Sequence, residues 1–291
     1  MKEGPTIKEK INTLLKKIAP SLKWILIISI SIIIGGITVN WYSSEKSSSK
    51  DTSASANQGC NVLGVNLHGM VVTYNSPDSY NDNGDLILDQ TSADGVLWAI
   101  KDANENPDIK AIIVEVDSSG GYPVAGEEIL NAVKNSEKPV VAFIRDIGAS
   151  AAYWAISSAD RIFASRNSNV GSIGVTMSYL SNVEKNNKEG YVYEQLSAGK
   201  YKDTGAPDKV LTYEEKNLIL RDVNVIYENF IKDVSENRGL TIKAVKSFAD
   251  GSTVMGEKAK ELGMIDEIGG INEVEKYLEP IIGEKPEVCW Q

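Results

Sequence analysis

The chain has 291 residues, with 30 Lys and Arg against 40 Asp and Glu for a net charge of −10, one histidine and two cysteines. An acidic body of this kind argues against nucleic acid as a partner, and one histidine with two cysteines cannot build the usual zinc site. The length suits one folded domain of about 230 residues behind an N-terminal region.

Residues 1–23 hold six lysines and two glutamates. Residues 24–39 (WILIISISIIIGGITV) are uncharged, and the charge-free window continues to Ser44, close to the roughly 20 residues of a spanning helix. Trp24, Trp41 and Tyr42 fit the two interfaces, so residues 24–42 are expected to form a transmembrane anchor. The positive-inside rule makes residues 1–23 a cytoplasmic basic segment and sends the remainder across the cell membrane. A cleaved signal peptide is the competing reading, but the small-residue site Ala54-Ser55-Ala56 lies far beyond the apolar run. Residues 43–59 are Ser-rich and lack an apolar period, as expected of a flexible linker, and residues 60–291 make the extracytoplasmic domain. Residues 24–291 carry 24 basic against 38 acidic side chains, a net of −14. Cys60 and Cys289 bracket the domain and could pair in an oxidising compartment.

Residues 62–74 (VLGVNLHGMVVTY) predict a first strand with a break near Gly69, and 75–85 a polar loop. Residues 91–104 predict a helix with Val96, Leu97 and Ile100 on one face. Residues 110–116 (KAIIVEV) read as a strand buried on both sides, followed by a turn at 117–122 (DSSGGY) and a helix over 123–134. The strand at 140–144 (VVAFI) leads into IGASAAYWA at 147–155, where Ser150 opens a short helix. Short strands are expected at 161–164, 171–176 and 191–195. Thr212 and Glu215 make a capping box for a helix to about 237, with Ile219, Val223, Ile226, Phe230 and Val234 on the 3.6 period and Gly239 as its stop. Helices at 241–249 and 257–262, a strand at 264–268 and a helix from 271 complete the chain. The alternation predicts an α/β fold with a parallel sheet and flanking helices, its site at the C-terminal strand ends.

Ser150 has two readings. It is an ordinary N-cap, or it is a nucleophile at a helix N-terminus whose free N–H groups favour an oxyanion. A nucleophilic hydroxyl needs a base. His68 sits in the first strand and reads as a satisfied strand residue. No P-loop or dinucleotide fingerprint is present, and no cofactor or metal is expected. The base would then be a carboxylate or a lysine deprived of water. Lys200 and Lys202, in SAGKYKDTGAP, are both placed for this, and physical reasoning does not choose between them.

The sequence resembles the signal peptide peptidase A family, the Ser/Lys-dyad, membrane-anchored relatives of the Clp proteolytic subunit. The matching blocks are DSSGG (117–121), ASAAYWAISSADRIFA (149–164), VGSIGV (170–175), SAGKYKD (197–203) and GEKAKELGMIDEIGG (256–270). The resemblance implies a Clp protease/crotonase-like fold, with Ser150 as nucleophile, Lys202 as general base, Ser172 orienting the lysine and the Gly121 N–H in the oxyanion hole. It further implies apolar peptide substrates, chiefly remnant signal peptides, and a homo-oligomeric ring or dome. The chain departs from the family at Ser119, where proline is common, and at Ala151 and Ala152, where two glycines are common and added methyls would narrow the cleft. Some relatives carry an arginine where Ser252 stands. The rival readings are an inactive membrane-tethered scaffold of the same fold and a crotonase-type acyl-CoA enzyme, which the acidic exported domain fits badly.

Overall fold

The computed structural model describes residues 59–291 apart from 82 and 84–87, together with Lys8. The expected cytoplasmic segment (except Lys8), the anchor at 24–42 and nearly all of the linker at 43–59 lie outside the described residues. Among the described residues no helix is long and apolar enough to cross a membrane.

The domain is built on a sheet whose central order is β2-β1-β3-β4-β5-β8. The strands are β1 (Val62–Val72), β2 (Gln90–Ser92), β3 (Ala111–Gly121), β4 (Val140–Ala149), β5 (Arg161–Ala164), β6 (Asn169–Gly171), β7 (Thr253–Met255), β8 (Glu267–Ile268) and β9 (Val288–Trp290). All pairings are parallel except β6 with β7. The helices are α1 (Ala93–Glu105), α2 (Pro123–Lys134), α3 (Ala151–Ile156), α4 (Val183–Glu189), α5 (Tyr213–Asn237), α6 (Ile242–Lys246), α7 (Gly256–Glu261) and α8 (Ile271–Ile282).

The continuous apolar run of β3 is explained by cover on both faces. Ile112, Val114 and Val116 join the larger core with α1, α2, α3 and α5. Ala111 and Ile113 point the other way, into a smaller cluster with Val274 and Leu278 of α8. Fully burying a side chain such as Ile112 or Ile113 contributes about 1.5–3 kcal/mol, so the two central strands fix the frame. The α5 capping box is present as expected: Thr212 Oγ1 accepts from the Glu215 N–H, and Glu215 accepts from the Thr212 N–H at 3.0 Å.

Several elements differ from the sequence expectation. β3 continues through the expected turn to Gly121, because its ladder with β1 persists to Val71↔Gly121 past a bulge between His68 and Met70. β4 likewise runs on to Ala149 by pairing with β6 after β5 ends. No strand forms at 172–176 or at 191–195. The latter segment has no partner strand among the described residues, and Val192 is 85% exposed. The short strands β2 and β9 and the helix α4 were not expected. Cys60 and Cys289 are bridged, with Cα atoms 5.8 Å apart, beside the β1–β9 pairing.

Candidate active site

β4 delivers the chain to Ser150, and α3 leaves from it. Ser150 has φ 52° and ψ −127°, a backbone state that costs a non-glycine residue about 1–3 kcal/mol. The surroundings hold it there. Its N–H donates to the Gly171 carbonyl at 2.7 Å, and its carbonyl accepts from the Trp154 N–H at 2.9 Å. All six residues of α3 are buried. Trp154 stacks on Phe230 with ring centroids 4.5 Å apart and donates to Asp233 at 2.8 Å. Tyr153 donates its hydroxyl to the Met264 carbonyl at 2.9 Å, and burial pushes its phenol far up, keeping it a neutral donor.

Ser150 occupies the N-cap position, yet its hydroxyl makes no capping hydrogen bond. It lines a cleft of about 390 Å³ instead. The position is that of an N-cap, but the side chain does not serve as one.

Ser172 and Gly121 line the same cleft. Ser172 has φ 50°, and with Ser150 it completes the set of positive-φ non-glycine residues among those described. Its N–H donates to the Ser252 carbonyl and its hydroxyl to the Gly251 carbonyl, both at 2.9 Å, while the Gly251 N–H returns to the Ile173 carbonyl at 3.1 Å. A hydroxyl that donates in this way keeps its lone pairs free to accept from an amine. Gly121 ends β3. The buried Ser118 hydroxyl donates to the Gly69 carbonyl at 2.5 Å and accepts the Gly120 N–H at 3.1 Å, so the Gly120 donor is already used. Gly120 has φ 108°, and a side-chain carbon there would lie 2.7 Å from the Ser150 Cβ. Glycine at 120 is what lets β3 come up against the serine.

Lys202 is not brought to this cleft. It is exposed, on a turn at 199–205. Its neighbours Tyr201 and Thr204 line an adjoining groove of about 690 Å³ that shares Gly121, Pro123, Val175 and Thr176 with the cleft. Lys200 is committed elsewhere. Its ammonium lies 2.5 Å from Glu214 and over the Tyr201 ring, and the Glu214 hydrogen bond, then Tyr201, raise its pKa. Lys202 makes no ion pair among the described residues.

His68 pairs with Glu115 at 3.2 Å, and Arg145 meets the same carboxylate at 3.0 Å, so it is a satisfied strand residue. Of the two methyls expected to narrow the cleft, that of Ala152 does not reach it, whereas Ala151 is among the lining residues. Ala152 is fully buried in the core. Ala151, 3% exposed, packs on α2, where a side-chain carbon at Gly126 would come within 2.8 Å of the Ala151 carbonyl. Sequence reasoning missed Asp250, Trp154 and Phe230 as lining residues. The only pointer to Asp250 was its place two residues before the unusual Ser252.

Comparison with known proteins bears on the chemistry. A profile described as Peptidase family S49 matches residues 132–281. A provisionally named protease of Methanocaldococcus jannaschii is 35% identical over 72% of this chain and 68% of its own length. A provisionally named signal peptide peptidase SppA of Enterococcus faecium is 30% identical over 62% of this chain and 54% of its own length. Among solved structures, a ClpP1 mutant from Listeria monocytogenes aligns over 71% of this chain and 91% of its own, at TM-score 0.46 and 15% identity, too slight a likeness to carry an argument.

Proposed function

The chain belongs to peptidase family S49, and on that premise we propose that it is a serine endopeptidase in which Ser150 attacks the peptide carbonyl. The observation that carries this is the strained, uncapped Ser150 at the end of β4, open to a cleft. Strain of this kind persists where the surroundings over-determine it, and it clusters at active sites.

In the mechanism proposed, neutral Lys202 removes the Ser150 proton as the hydroxyl attacks. N–H groups of Gly121 and the serine turn hold the tetrahedral oxyanion. Lys202 then protonates the leaving amine, and water resolves the acyl-enzyme. Ser172 accepts from the amine and orients it. This requires the 199–205 turn to swing to the cleft, from the same chain or from a second copy. One observation favours Lys202 over Lys200: it carries no ion pair among the described residues, whereas Lys200 is paired with Glu214. Tyr201, which borders the groove that runs into the cleft, adjoins both lysines. Segment 177–210 also exposes Met177, Leu180, Val192 and Leu196, apolar surface that assembly into a ring or dome would cover.

The same reading includes a single-pass anchor at 24–42, a cytoplasmic N-terminus and an extracytoplasmic domain; the Cys60–Cys289 bridge suits an oxidising compartment. The substrates proposed are apolar peptides, remnant signal peptides among them. The position of Lys202 favours the inactive scaffold as the second reading. A serine-reactive fluorophosphonate separates the two. Labelling of Ser150 that disappears in Lys202→Ala supports the dyad, and a wild-type protein that takes no label, alone or with peptide, removes the protease reading.

A further inference from the structure

We propose that Asp250 is a specificity-determining residue that selects a lysine or arginine side chain next to an apolar run in the bound peptide. This rests on the reading of Ser150 as nucleophile, and it concerns what the same cleft accepts.

Trp154 and Phe230, stacked and almost wholly buried, back the cleft that Ser150 opens on, and the part-exposed Pro123 and Val175 give it an apolar wall. Of the residues that line the cleft, Asp250 is the only one with a charged side chain. Its carboxylate is held from one side only: Oδ1 accepts from the Ser252 N–H at 2.9 Å and from the Ser252 hydroxyl at 2.6 Å. No cation pairs with it among the described residues. The two Ser252 hydrogen bonds, led by that of the hydroxyl, hold its carboxyl below the usual range, so the site keeps its negative charge.

An apolar wall with a fixed carboxylate at its edge matches a long side chain that lays a hydrocarbon stem on the wall and ends in a cation. The adjoining groove has no such character. Met70, Val175, Met177, Ile219, Val223 and Ile226 line it, and its one ion pair, Arg221 with Asp222, is closed on itself at 2.8 Å. Because groove and cleft share the four residues between them, an extended peptide can lie across both with its apolar run in the groove and its basic side chain beside Ser150. A remnant signal peptide carries such a junction, where the basic n-region meets the apolar h-region.

The test moves one lysine, position by position, through an internally quenched apolar octapeptide and compares each with norleucine and glutamate, using the full chain. At one position lysine is expected to exceed norleucine in kcat/KM by about fivefold, the scale of a part-exposed ion pair. That preference should shrink in high salt. Asp250→Asn should abolish it, Asp250→Glu retain it, and Asp250→Lys turn it toward glutamate. Glu279→Gln, on α8 across the sheet, removes the same charge and should leave it in place. Binding of the same peptides to Ser150→Ala, read by anisotropy, gives the preference without catalysis. Lysine no better than norleucine at every position, or a lysine preference surviving Asp250→Lys, overturns the inference while cleavage itself leaves the protease reading standing. Peptides bound with lysine preference but not cleaved overturn the protease reading alone; peptides neither bound nor cleaved overturn both.

Discussion

The N–H of Ser150 donates to the carbonyl of Gly171 at 2.7 Å, one residue before Ser172. The two positive-φ serines are thereby fastened to each other through the end of β6, and Ser172 is fastened in turn to 251–252. Distortion at one serine is resisted by the backbone of the other.

Stored strain at Ser150 predicts an order of stabilities. Ser150→Gly relieves a cost of about 1–3 kcal/mol and loses about 0.5–1 kcal/mol to the flexibility of glycine. Ser150→Gly should therefore melt above Ser150→Ala, by about 1 kcal/mol in denaturant titration, with both inactive. Equal stabilities would show that the turn is relaxed.

Gly120→Ala should be harmful out of proportion to its size. The added carbon would stand 2.7 Å from the Ser150 Cβ and 2.9 Å from the Ala149 carbonyl oxygen, at a φ of +108°. A loss of about 1–3 kcal/mol is expected, with fluorophosphonate labelling falling further than stability does. Thermal melting and labelling rate measured on one sample decide it.

The two lysines of the 199–205 turn should separate cleanly. Lys200 is held charged by Glu214, so Lys200→Ala should leave peptide cleavage within about threefold, while Lys202→Ala should lose about 100-fold or more, the scale of a missing general base. Because the base must be neutral, wild-type kcat/KM should climb with pH. A flat profile, or the reverse ranking of the two variants, refutes the assignment of Lys202.

Acid stability should depend on Glu215. Its side chain is 4% exposed and lies 2.6 Å from Lys209. The Lys209 hydrogen bond, then that from the Thr212 N–H, push its carboxyl down to about 2. The unfolded value is about 4.3, so this stabilisation is present above that pH and is lost as pH falls toward 2. Lys209 is shifted up, by Glu215 first and then Asp203, and its share is lost only on the alkaline side. Denaturant midpoints taken from pH 6 to pH 2 should converge for wild type and Glu215→Gln; parallel curves would mean the ion pair contributes nothing.

What could be read in advance follows from where each signal resides. The strands at 111–116 and 140–144, α2 and the capping box of α5 are encoded by their own residues, in β-branched runs, a proline at the first helical position and a Thr/Glu pair. β2 and β9 are three residues long and exist because β1 offers an edge at each end, which no local pattern reveals. The ends of β3 and β4 are polar and glycine-rich, and hydrogen bonding to β1 and β6 extends them where the apolar run has stopped. Residues 191–195 alternate like a strand but find no partner among the described residues. Ser150 was legible because small residues at a strand-to-helix turn are a local mark. Asp250 was not, because it reaches the cleft through the clip between 172–173 and 251–252, about 80 residues apart in sequence.

The Cys60–Cys289 bridge also sets how the domain bears load. Tension arriving along the residues before Cys60 enters at a point already welded to the last strand, 5.8 Å away between Cα atoms. Between those points the oxidised domain cannot stretch, whereas the chain between them, a sequence separation of 229, could run out to roughly 800 Å once reduced. Force-extension traces of the domain, held at residues 60 and 289, should show a short stiff response that becomes a long unravelling only when reductant is added.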